Sequence, residues 1–157
     1  MERTADLHHT ALGAPNLRTV LVAVGATDIL SGATATEIAG NLTDVVSTDS
    51  AKGLKRHKRP DGDWVHIIVT TIPPLGLDVG DPREAERRKL NQLLLNNYAD
   101  LQADYVVDYD TAVRDAADPS KLAAQYLTDG LPNAAYHNQI AQYLANAIND
   151  FPPRAEL

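Results

Sequence analysis

The segment Leu17-Arg18-Thr19-Val20-Leu21-Val22-Ala23-Val24 is a short, nearly continuous run of β-branched and aliphatic residues that stops at Gly25. A run of that length suits a strand buried on both faces of a parallel sheet. Two further runs repeat the pattern: Val65-His66-Ile67-Ile68-Val69-Thr70, closed by Pro73-Pro74, and Tyr105-Val106-Val107-Asp108. Helix-start signals separate them. Thr34-Ala35-Thr36-Glu37 reads as a capping box ahead of an apolar stripe at Ile38, Leu42, Val45 and Val46. Asp81-Pro82-Arg83-Glu84 supplies a cap, a proline at the first helical position and an acid at the third. That helix runs to about Tyr98 and buries Leu90, Leu93, Leu94 and Tyr98. Strands alternating with helices predict βαβ units and a right-handed, mostly parallel sheet, hence an α/β fold.

The connecting stretches are less regular. Ala51 to Asp63 is polar, basic and broken by Gly53, Pro60 and Gly62, which predicts a surface loop anchored to the sheet by Trp64. Its cations, Lys52, Lys55, Arg56, Lys58 and Arg59, read as a solvated loop before they read as a docking patch for an anionic partner. Asp118-Pro119 predicts a short helix. A closing helix spans Asn133 to about Asn149, with Tyr136, Ile140, Leu144, Ala147 and Phe151 facing the core. The expected organisation is an extension over 1–16, one domain over 17–150 and a tail over 151–157.

Composition removes several function classes. A net charge of −7 argues against a nucleic-acid partner, since phosphate binding needs a basic surface. The absence of cysteine removes disulfides and thiolate chemistry. No apolar run approaches the ~20 residues of a membrane span. Met1 to His9 carries acids and has no apolar h-region, so no signal peptide is read there and a cytoplasmic location is expected as written. Secretion becomes the expectation if the true N-terminus lies upstream. No Gly-rich phosphate loop follows a strand, and no cofactor or designed metal site is expected; His8 and His9 are adventitious metal ligands at most.

In a parallel α/β sheet the ligand site lies beyond the carboxyl ends of the strands. Gly25-Ala26-Thr27-Asp28, Thr70-Thr71-Ile72-Pro73-Pro74 and Asp108-Tyr109-Asp110 fall there, joined by the loop that holds Asp129. Within Tyr126-Leu127-Thr128-Asp129-Gly130-Leu131-Pro132-Asn133-Ala134-Ala135-Tyr136-His137, an acid on a loop precedes a tight turn at Gly130 and a proline that opens the closing helix. This stretch resembles the last block of the SGNH (GDSL-type) serine esterases and lipases. Val24-Gly25-Ala26-Thr27-Asp28-Ile29 is similar to the family's Gly-x-Asn-Asp block, and Ile67 to Pro74 to its strand and Thr-x-Pro turn. Val106 to Val113 and Asp118-Pro119-Ser120 resemble the approach to the histidine block. The resemblance extends from about Leu17 to Ile148. It implies a flavodoxin-like three-layer αβα fold, incomplete at its N-terminal strands, and acyl transfer from a small-molecule ester to water through a serine acyl-enzyme.

It also assigns roles. Asp129 matches the acid that orients the catalytic histidine, and Thr27 stands where the family's asparagine donates to the oxyanion. The family's histidine, expected between Leu131 and Pro132, is missing, and His137 is the remaining candidate base. Five residues along a helix displace a side chain by roughly 7 Å, so His137 reads first as a residue of the closing helix. The family's Gly-Asp-Ser block should precede the Leu17 strand, and none of Ser31, Ser47, Ser50 or Ser120 has that context. The expectation is therefore a truncated or catalytically impaired ester hydrolase. The alternative is a non-catalytic, esterase-derived binding or assembly module. Without a neighbouring nucleophile strand, Val20 to Val24 would be an open apolar edge, available for self-association unless the first 16 residues, with Leu7 and Leu12, cover it. His66 within a strand reads as a packed histidine, and Asp28 as a cap or turn residue.

Overall fold

A computed structural model describes residues 17–47, 53–59 and 62–150. The expectations that concern Leu7, His8, His9, Leu12, Ser50, Lys52, Pro60 and Phe151 lie outside these residues. Three parallel strands, β1 (Thr19–Val22), β2 (His66–Thr70) and β3 (Tyr105–Val107), pair in the order β1-β2-β3. Thr19 stands opposite His66, and Ile68 opposite Tyr105. Between β1 and β2 run α1 (Ala26–Leu30) and α2 (Ala35–Val46); α3 (Pro82–Asn97) joins β2 to β3. After β3 come α4 (Tyr109–Val113), a two-stranded hairpin of β4 (Leu127–Thr128) and β5 (Leu131–Pro132), and α5 (Ala134–Asn149).

The pleat of β2 sends alternate residues to two cores. Val65, Ile67 and Val69 pack with Ile38, Leu42 and Val46 of α2 and with Leu90 and Leu94 of α3. Ile68, with Val107 and Tyr109, meets Ala147 of α5 on the other face. Helices on both faces make the three-layer α/β architecture that the alternation predicts. Both expected caps are present. Thr34 and Glu37 exchange hydrogen bonds across a capping box, and the Asp81 carboxylate accepts from the Arg83 N–H at 2.8 Å with Pro82 opening α3.

The third layer covers β2 and β3 and stops short of β1. Among the described residues β1 pairs with β2 alone, and Leu21 and Val24 are 40% and 51% exposed. Val20 and Val22 instead turn inward to the α2 side. At the end of β1 the chain enters α1 through Gly25, with φ at +102°. A Cβ there would stand 3.1 Å from Ile72 Cδ1, so glycine serves both the backbone angle and the close approach.

Several expectations are corrected. Asp118-Pro119 forms a turn rather than a helix: Asp118 Oδ1 accepts from the Ser120 N–H and from Ser120 Oγ, a side-chain turn that competes with helical bonding. The helix of this region is α4, which follows β3 directly and is capped by Asp108, whose Oδ1 accepts from the Thr111 N–H. Pro132 is not the first residue of the closing helix but the end of β5; Asn133 is the cap, accepting from the N–H groups of Ala135 and Tyr136. Trp64 holds Lys58 of the preceding loop beside β2, through an antiparallel bridge and with the Lys58 ammonium 4.9 Å from its ring centre, but it is itself 49% exposed and does not carry that loop into the core. Leu54 and Val65 do that.

Candidate functional site

The carboxyl ends of β2 and β3 are bound together by side chains. Thr71 Oγ1 donates to Asp108 Oδ1 at 3.0 Å and accepts from the Asp110 N–H at 2.9 Å. The Asn91 amide reaches from α3 and pairs with both backbone groups of Ile72, at 2.8 and 2.9 Å. Thr71, Ile72 and Asn91 are buried, and both backbone polar groups of Ile72 are paired there.

Beneath this turn lies a buried ionic chain. Arg87 is 0% exposed, yet every N–H of its guanidinium has an acceptor. Nε and Nη2 fork onto the Glu84 carboxylate at 2.7 Å, Nη1 donates to Ile72 O and to Asp110, and Nη2 also reaches Pro119 O. Arg88 extends the chain from Glu84, and Arg114 from Asp110, both at 2.8 Å. Burial alone would raise the Glu84 carboxyl, but hydrogen bonds from Arg87 and Arg88 outweigh it and hold the group below the usual carboxylate range. The bidentate geometry makes Arg87 the tie between α3, the turn after β2, α4 and the Pro119 turn. A cavity of about 250 Å³ opens beside it, lined in part by Arg88, Gln92, Leu95, Asp108 and Arg114.

This network is absent from the sequence reading, which gave α3 an aliphatic stripe only. A signal was present. Glu84, Arg87, Asn91 and Leu94 follow one another at helical spacing, so the polar residues share the face that meets the sheet.

The residues assigned by resemblance are placed as follows. Thr27 lies in the first turn of α1 and is exposed. Asp129 and Gly130 form the connection of the β4–β5 hairpin, with φ at +51° and +78°. Positive φ at both central positions is what a type I′ turn requires, and Asp-Gly is a favoured pair for it. His137 is exposed in the first turn of α5, edge-on to Tyr136 with ring centres 5.2 Å apart. No hydrogen bond or ion pair joins Thr27, Asp129 and His137 among the described residues. Ser47 and Ser120 are buried, and Ser120 Oγ donates to Asp118 at 2.6 Å. Burial pushes the Tyr109 and Tyr136 hydroxyls up, away from use as a base near neutrality. Among the described residues no three His, Asp or Glu side chains gather as a metal cluster, and no helix is long and apolar enough to cross a membrane.

No protein-family model and no curated protein matches the sequence. The fold is shared with the crystal structure of a member of the lipolytic protein G-D-S-L family from Veillonella parvula DSM 2008. The two superpose with a TM-score of 0.65 at 19% sequence identity, covering 95% of this chain and 72% of that one. The architecture expected from the SGNH resemblance is thus the architecture found.

Proposed function

We propose that this chain is an SGNH/GDSL-like hydrolase unit for carboxylic esters whose catalysis is impaired as the sequence stands. The observation that carries this reading is the likeness in fold to a G-D-S-L lipolytic protein over 95% of the chain. Two local features support it. Gly25 turns the end of β1 into α1, where Thr27 would face a developing oxyanion, and the Asp129-Gly130 hairpin would carry the acid. The reaction would be acyl transfer from an ester to water through a serine acyl-enzyme. A general base must come within ~3 Å of the proton that it takes. Among the described residues no such serine–histidine pair is found: Ser120 is committed to Asp118, and His137 lies exposed on α5.

The purified chain is incubated with a short-chain aryl ester and with a fluorophosphonate probe. Neither turnover nor serine labelling is expected, while circular dichroism reports a folded α/β protein. Turnover with stoichiometric labelling of one serine would overturn the impaired reading. A non-catalytic binding or assembly module is the second reading, and the exposed Leu21 and Val24 beside the edge of β1 that is unpaired among the described residues favour it.

A further inference from the structure

A sheet edge that faces water is normally interrupted by a charge, a proline or a bulge, because its unpaired N–H and C=O groups invite another strand. β1 carries no such interruption: Thr19 to Thr27 contains no charged residue and no proline, and the pairing with β2 runs without a bulge. Among the described residues its outer side has no strand partner. Leu21 and Val24 are 40% and 51% exposed there.

The existing ladder fixes which backbone groups point outward. Arg18 O accepts from the His66 N–H at 2.9 Å, so the backbone of Arg18 is turned to β2. Backbone groups alternate sides along a strand. Val20 and Val22 are therefore turned to β2 as well, and the N–H and C=O of Thr19, Leu21 and Ala23 are turned away from it. These three positions are symmetric about Leu21. In an antiparallel pair of copies centred there, Leu21 faces Leu21 and Thr19 faces Ala23. Each facing pair exchanges both hydrogen bonds, so every outward group of the three residues gains a partner.

Side chains and charges agree with that register. Residues that face each other across an antiparallel pair share a face of the sheet. The two Leu21 side chains thus meet on the face that α5 leaves bare, and Val20 meets Val22 on the α2 side. Exposed Arg18 precedes the uncharged run and exposed Asp28 follows it. Antiparallel copies bring these opposite charges together at each end, whereas parallel copies would bring like charges together. Residues 1–16 contain no Val, Ile or aromatic residue, so by composition they are a poorer strand donor than β1 itself.

We propose that β1 pairs with β1 of a second copy of this chain, antiparallel about a two-fold axis at Leu21, and joins two three-stranded sheets into one. Such a contact uses the same patch on both copies and closes at the dimer. This dimer gives the assembly reading its partner. It rests on backbone groups and apolar side chains, so its presence or absence is separate from the outcome of the ester assay.

The test is sedimentation velocity of the full chain from about 1 to 100 µM, at ~0.15 M salt to screen the net charge of −7. A species of twice the 17.0 kDa chain mass is expected, dissociating on dilution. Leu21→Lys and Leu21→Glu each set like charges opposite one another at the two-fold axis, and each should weaken the dimer at least about tenfold. An equimolar mixture of the two variants sets an ammonium opposite a carboxylate and should restore it. Circular dichroism checks that both variants are folded. A wild type that stays a monomer across this range overturns the proposal and leaves residues 1–16 as the candidate cover of the edge. A dimer that neither variant weakens overturns it too, as do two weakened variants whose mixture stays monomeric.

Discussion

Arg87→Met is the substitution that most directly probes what holds the carboxyl ends of the strands together. Methionine fills much of the same volume but supplies none of the hydrogen bonds to Glu84, Asp110, Ile72 O and Pro119 O. Glu84, 1% exposed, would keep only Arg88 as a partner. Summing the lost bonds overstates the effect, because the unfolded arginine is hydrated and mobile. Removal of one member of a buried ion pair is the better guide, at about 3–5 kcal/mol. For a chain of this size each kcal/mol moves the melting temperature by roughly 2–4 °C, so a fall on the order of 10 °C is expected. The pH dependence supplies the sharper signature. Glu84 in the folded protein has a lowered pKa, so its contribution is present above the unfolded carboxylate value and is lost as pH falls through the folded one. In the variant the same buried carboxylate has lost its principal partner, and its protonation relieves the strain of burial. The stability gap between wild type and variant is therefore widest at pH 7 and narrows on acidification through the carboxylate range. Urea unfolding at several pH values measures it. A gap under about 1 kcal/mol at pH 7, or a gap that stays constant down to pH 4, would refute the reasoning.

Gly25→Ala should destabilise by about 2–3 kcal/mol, combining ~1–2 kcal/mol for a non-glycine residue at positive φ with contact against Ile72. A chemical denaturation midpoint equal to that of wild type would show that the turn relaxes freely. Asn133→Ala removes the cap that accepts from Ala135 and Tyr136 and the amide that donates to Gln125 O, so ~1–2 kcal/mol should be lost; Asn133→Asp, which keeps the accepting oxygen, should lose less. Equal losses for the two would remove the cap as the cause.

The three strands, the helix caps at Thr34 and Asp81, the apolar stripe of α2 and the span of the closing helix were all legible in the amino-acid sequence. They rest on local chemistry: runs of β-branched residues, an oxygen side chain before a first turn, and apolar spacing at the helical period. The fold followed because βαβ order leaves few ways to build a sheet. Other features depend on partners distant along the chain. Arg87 on a helix reads as a solvated charge until Ile72, Asp110 and Pro119 are folded around it, and the exposure of Leu21 follows from where α5 ends on the sheet. Asp129-Gly130 was read as an acid ahead of a turn; the pairing of Leu127 with Pro132 makes it the turn itself and takes Pro132 from the helix into a strand. Local bonding thus set the elements from sequence. Burial and long-range hydrogen bonding, which belong to the tertiary structure alone, decided which charged residues became structural.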